Sequence, residues 1–94
     1  MKHYKIIILG GGIAGLNTAY KLQNKYDSIA LIEKNDRLGG RIYTYYNKSK
    51  HIQIEAGAGR INIKHKLFNK LLNELQLQNT KIARPNTFKY IDKN

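Results

Sequence analysis

The chain has 94 residues, no cysteine and a net charge of +11. That length allows one small domain with a limited core, and the missing cysteines exclude a disulfide framework or a thiolate metal site. His3, His51 and His65 are scattered without metal-ligand spacing, so no metal site is expected. No stretch approaches the roughly 20 apolar residues that span a bilayer. The lysines are spread over the whole chain rather than focused in a patch. A basic surface of this kind attracts anions without specificity, and no specific nucleic-acid partner is expected.

The run Ile6-Ile7-Ile8-Leu9 predicts a first strand over about Tyr4 to Leu9. Its nearly continuous apolar character suits a parallel strand covered on both faces. Met1, Lys2 and Lys5 ahead of Ile6 to Leu16 superficially resemble a secretory signal. Three consecutive glycines would weaken the helix such a segment forms, so the segment is read as part of the fold and the location as cytoplasmic.

Gly10-Gly11-Gly12-Ile13-Ala14-Gly15 follows the strand. In this pattern Gly10 permits a tight turn, Gly12 lets a pyrophosphate approach the backbone, and Gly15 permits close helix–strand packing. The helix that begins at Ile13 and Ala14 offers unpaired N–H groups and about half a positive charge to the phosphates. That helix is expected over about Ile13 to Lys25, with Gly15 and Ala19 on one face. The bland alternative is a glycine-rich turn with no ligand.

A second strand is expected over about Ser28 to Glu33, joined to the first by a right-handed crossover. Glu33 at its end can accept hydrogen bonds from ribose hydroxyls and would repel the 2′-phosphate of NADP, which favours FAD or NAD. Alternatively, Glu33 is an exposed strand-end carboxylate paired with a lysine. Strand, glycine turn, helix, strand and acid together make a βαβ unit that grips the adenosine diphosphate half of a dinucleotide. The fold class is therefore α/β, an incomplete Rossmann-like FAD/NAD(P)-binding unit.

Two β-rich runs come next, Ile42 to Tyr46 and His51 to Glu55, separated by the polar Asn47-Lys48-Ser49-Lys50. They predict a hairpin with Ile52 and Ile54 on one side. Ala56-Gly57-Ala58-Gly59 lets the backbone pass close to some neighbour. From about Lys64 to Leu77 the period turns helical, with Leu67, Leu71 and Leu75 widened by Phe68 and Leu72 into a stripe read as core. Pro85 is placed in a loop, and Phe88 to Ile91 is read as a further strand.

Arg37-Leu38-Gly39-Gly40-Arg41-Ile42-Tyr43-Thr44 resembles the second glycine motif of the flavin-containing amine oxidase superfamily. That group includes monoamine, polyamine and L-amino-acid oxidases and their desaturase relatives. The first glycine loop and Glu33 match the same pattern, so the resemblance covers about residues 4 to 77. It implies that FAD is the cofactor and that this segment is the N-terminal FAD-binding part of an oxidoreductase acting on a small amine or amino acid. In the family reaction a hydride passes from substrate carbon to flavin, and oxygen then reoxidises the flavin with release of peroxide.

Carried over by position, the resemblance implies cofactor contacts at the first loop, at Glu33 and the adjacent Lys34, at Gly39, Gly40 and Arg41, and at Gly57 and Ala58. Arg41 would sit near the pyrophosphate, where a guanidinium makes charge-assisted bonds. Arg37 would do the same or only pack at the loop. Arg60 is the candidate for a substrate carboxylate, since a guanidinium fork suits that planar group; a structural or surface arginine is the alternative. Catalytic residues are not assigned. Members of the family run to several hundred residues, so the chain is expected to be a truncated product, a fragment, or one piece of a split enzyme completed by a second chain, and marginal or inactive alone. The competing readings are a non-catalytic nucleotide-binding or interaction module and, less favoured, a basic nucleic-acid binder.

Overall fold

The computed structural model describes residues 1–82. The expected loop at Pro85 and the strand over Phe88 to Ile91 lie outside these residues. Two compact units divide at Arg60, and each is described by itself.

The first unit opens with β1 (Ile6–Leu9), α1 (Ile13–Leu22) and β2 (Ile29–Ile32). β1 and β2 pair in parallel, Ile6 opposite Ile29 through Leu9 opposite Ile32, with α1 packed against both strands. The expected βαβ unit is therefore present, with shorter elements. α1 stops at Leu22 because Lys25 N and Tyr26 N both turn back to the Leu22 carbonyl, at 2.9 and 3.1 Å. Lys5 N and Ile6 N share the Ser28 carbonyl at 3.1 and 3.3 Å, so the chain on either side of the strands is aligned before the ladder begins. An exposed Lys5–Asp27 ion pair at 2.9 Å lies beside it and adds little stability.

The sheet is covered on one face. Ile6 and Ile8 are half-buried, whereas Ile7 and Leu9 are 56% and 79% exposed. This corrects the expectation of a strand buried on both sides: with period-2 alternation, a single helix shields only alternate residues. Among the described residues no apolar side chain is fully buried.

The hairpin follows as β3 (Thr44–Asn47) and β4 (Ile52–Glu55), antiparallel with Thr44 opposite Glu55 and Asn47 opposite Ile52. Asn47 ends its strand rather than opening the turn, and its side chain explains why. Oδ1 accepts from Ser49 Oγ at 2.8 Å and from Lys50 N at 3.1 Å, the local turn chemistry that suits asparagine. His51 then closes the loop in the left-handed region, with φ 51°. Ile42 and Tyr43 leave the first strand because their backbone serves the preceding loop and the next segment, as described below.

In the second unit, α2 spans Lys66–Glu74, shorter at both ends than the expected Lys64 to Leu77. Asn69 Nδ2 reaches the carbonyls of Asn62, Ile63 and His65, which ties the preceding turn to the helix. At the other end Leu77 N bonds to Leu72 O and Gln76 N to Asn73 O, with Gln76 at φ 54°. This is the Schellman arrangement, with glutamine where glycine is usual. The leucine stripe is not core: Phe68, Leu71 and Leu72 are half-buried, while Leu67 is 86% exposed.

Candidate functional site

The site grows from the end of β1. Gly10 has φ 99°, a conformation that glycine alone adopts without strain, and its N–H is held by Ile32 O at 2.7 Å. The turn thus hangs from the last residue of β2. A Cβ built on Gly15 would collide with the Gly10 carbonyl oxygen and touch Ile8. This is the close helix–strand contact that the spacing implies. A Cβ on Gly12 would meet nothing within 4 Å; the space beside it is open, as an approaching phosphate requires.

α1 begins with Gly12 as its N-cap, with no side-chain cap and no acid in the first turn. Its first N–H groups therefore have no capping side chain from the helix itself. Gly12, Ile13 and Ala14 line a cleft of about 930 Å³ together with Gly39, Gly40, Arg41, Gly57 and Ala58. Eight of the residues expected to touch cofactor thus converge on one cavity. Asn35, Arg37, Ile42 and Ala56 complete its lining.

Glu33 and Lys34 do not line this cavity, nor do Gly10 and Gly15, whose contribution is to shape the turn. The Glu33 carboxylate accepts Gly11 N at 2.7 Å through Oε2 and Asn35 N at 3.0 Å through Oε1. The Asn35 and Gly11 amides, in that order of effect, hold its carboxyl below the usual carboxylate range, because both bonds favour the ionised form. Arg60 is exposed and is not part of the lining.

The second glycine motif is bonded directly to the first. Gly39 N donates to Gly11 O at 2.8 Å, and a Cβ on Gly40 would stand 3.3 Å from the Gly12 Cα. Gly11, the buried member of the turn, sits between Glu33 and the Leu38 side chain, and a Cβ there would have to displace the end of Leu38. Sequence reasoning passed over it, because the glycine fingerprint leaves that position free. Gly39 and Gly40 both take positive φ, 108° and 57°, a conformation that favours glycine at both positions.

The neighbour awaited by Ala56 to Gly59 is the same loop. Ala58 N donates to Arg41 O at 3.0 Å and Ala56 N to Tyr43 O at 2.9 Å, while a Cβ on Gly57 would strike the Arg41 carbonyl oxygen. Three segments distant in sequence therefore share one backbone network. Arg37 is drawn into it through bonds to the Leu38, Gly40 and Ile42 carbonyls. The Arg41 side chain makes no hydrogen bond or ion pair among the described residues, and the residue lines the cleft with its guanidinium free.

Among the described residues no group of three or more His, Cys, Asp or Glu could hold a metal. No described helix is long and apolar enough to cross a membrane.

Comparison with known proteins gives the same picture. Residues 13–94 match the family described as flavin containing amine oxidoreductase. An L-amino-acid oxidase from Siganus canaliculatus is 40% identical over 63 residues, 67% of this chain and 12% of that protein. The L-amino-acid oxidase BmooLAAO-I from Bothrops moojeni is 29% identical over 82 residues, 87% of this chain and 16% of its own. Wild-type putrescine oxidase bound to putrescine superposes with a TM-score of 0.71 at 32% identity, over 80% of this chain and 16% of that one. The chain thus spans less than a fifth of the length of these relatives. An uncapped helix start beside an open glycine, with a free arginine opposite, fits the diphosphate of a flavin dinucleotide. The chain belongs to the flavin containing amine oxidoreductases, and the cofactor of that family is FAD.

Proposed function

We propose that this chain is the N-terminal FAD-binding segment of an amine- or amino-acid-oxidising enzyme. The observation that carries the reading is the convergence of Gly12, the first turn of α1 and Arg41 on one cleft. The α1 amides and Arg41 would hold the pyrophosphate, with Gly39, Gly40, Gly57 and Ala58 giving backbone approach along it. Glu33 would accept the adenosine ribose hydroxyls from the rim, next to Lys34. When bound, the flavin supplies the electron acceptor for the oxidation; this segment binds and orients it. Arg60, exposed and outside the cleft, is the candidate contact for a substrate carboxylate.

Ile7, Leu9 and Ile32 are more than half exposed on an otherwise apolar sheet. Parallel strands are stable with both faces covered, so these residues call for further polypeptide, on the same chain or on a second one. A nucleotide-binding module without catalysis is the second reading. It draws on the cleft lining, which holds amides, apolar groups and arginines but no carboxylate, imidazole or amine to act as base.

The test is the full chain, purified and titrated with FAD. Flavin absorbance retained through gel filtration, with peroxide released on adding amines or amino acids, supports the enzyme. Flavin without turnover supports the module. Absence of both from folded protein contradicts the two readings together.

A further inference from the structure

Two arginines flank the paired glycines, and the structure gives them different tasks. Arg41 carries a free guanidinium. Arg37 spends its own on the chain: Nη1 donates to Leu38 O at 3.1 Å and to Ile42 O at 3.3 Å, and Nη2 to Gly40 O at 2.6 Å. Its guanidinium carbon lies 4.7 Å from the centre of the Tyr43 ring, close enough for a cation–π contact. Carbonyls of three alternate residues in one loop thus accept from a single planar cation.

We propose that Arg37 is a positioning residue, a clamp that sets the peptide planes of the Leu38 to Tyr43 turn for anion binding. The argument is geometric. In a trans peptide the C=O of one residue and the N–H of the next point in opposite directions. Gathering the Gly40 carbonyl onto Arg37 therefore turns the Arg41 N–H away from Arg37. Gathering the Leu38 carbonyl does the same for Gly39 N–H, which donates to Gly11 O at 2.8 Å and so docks this turn on the first glycine loop. Left-handed glycines at 39 and 40 make such a reversal sterically possible. Positive charge behind the carbonyls also offsets their repulsion of an incoming diphosphate.

Lysine cannot replace this residue. A guanidinium carries five donors in a rigid plane, whereas an ammonium is a point charge. The ring of Tyr43 seats that plane from one side. This inference rests on the reading of the cleft as the diphosphate site, and the experiment separates the two.

The full chain and its Arg37→Lys variant are titrated with ADP, and with adenosine in competition against FAD. A clamp predicts that ADP affinity falls about tenfold or more in Arg37→Lys, as expected when charge-assisted bonds lose their geometry, while adenosine affinity changes less than twofold. An equal fall of both affinities in folded Arg37→Lys overturns the proposal. Retention of ADP affinity within twofold also overturns it, because charge alone would then suffice. Should Arg37→Lys fail to fold, Tyr43→Leu decides: it removes the seat and leaves the three carbonyl bonds. A severalfold selective loss of ADP affinity supports the clamp, and an unchanged ADP-to-adenosine ratio overturns it. A wild-type chain that binds neither ADP nor FAD removes the underlying site reading itself.

Discussion

The Glu33 carboxylate stands 2.7 Å from the Gly11 amide, so the acid at the end of β2 also fixes the turn at the end of β1. The two strands are bound by their ladder, and the loop above them is held by this side chain, by Gly10 N on Ile32 O and by Gly39 N on Gly11 O. Replacing Glu33 with alanine would free the turn as well as remove the ribose acceptor. Affinity for FAD should fall severalfold or more, because both the turn and the ribose lose a charged acceptor. Glu33→Gln keeps an acceptor for one amide and should lose less. Titration of both variants by calorimetry checks the order.

The same contact sets a pH dependence. The folded-state pKa of Glu33 is lowered by the Asn35 and Gly11 amides. Its contribution is therefore complete above the unfolded value, about 4.3 for glutamate, and is lost as pH falls through the lower folded value. Loop order and FAD retention should be flat from neutral pH down to that range and then decline. In Glu33→Gln the acid-side decline attributable to this group should vanish. Flavin release followed against pH in the two proteins measures it.

Gly12 and Gly15 separate binding from folding. A methyl at position 15 collides with the Gly10 carbonyl, and overpacking of this kind costs about 1–3 kcal/mol. Gly15→Ala should melt at lower temperature and lose FAD. At position 12 a methyl meets nothing in the protein. Gly12→Ala should leave the melting temperature of the apoprotein nearly unchanged and still weaken FAD, because the methyl occupies the path of the phosphate. Thermal melts with and without FAD distinguish the two.

Gln76 terminates α2 with φ 54°, a region costly for a residue with a Cβ. Gln76→Gly should stabilise this helix end by several tenths to about 1 kcal/mol. Slower hydrogen exchange at Leu75 and Leu77 would show it.

Much of this was readable in the residues, because each legible feature had a local cause. Ile6 to Leu9, the 10-12-15 glycine spacing and Ile29 to Ile32 carry a period and a steric signature, and the βαβ unit follows. The shared cleft was legible only through resemblance, since nothing local says that Gly57 lies on Arg41 O. Gly11 was missed because its role depends on Leu38 and Glu33, which close over it from elsewhere in the chain. The division of labour between Arg37 and Arg41 was undecided for the same reason: both read as cations, and only the folded loop shows which one is already engaged. The α2 stripe read as core because periodicity reports amphipathicity and not what covers it.

Binding of FAD to the full chain, compared between wild type and Arg41→Ala, bears most directly on the diphosphate site. The Arg41 side chain has no partner among the described residues, and its backbone bond to Ala58 N survives in alanine, so the substitution should leave folding intact. The expected result is tight binding by wild type and a loss of about tenfold to a hundredfold in Arg41→Ala, the range for one charge-assisted contact. Folded wild-type protein with no measurable affinity for FAD, or equal affinity in the two proteins, would contradict it.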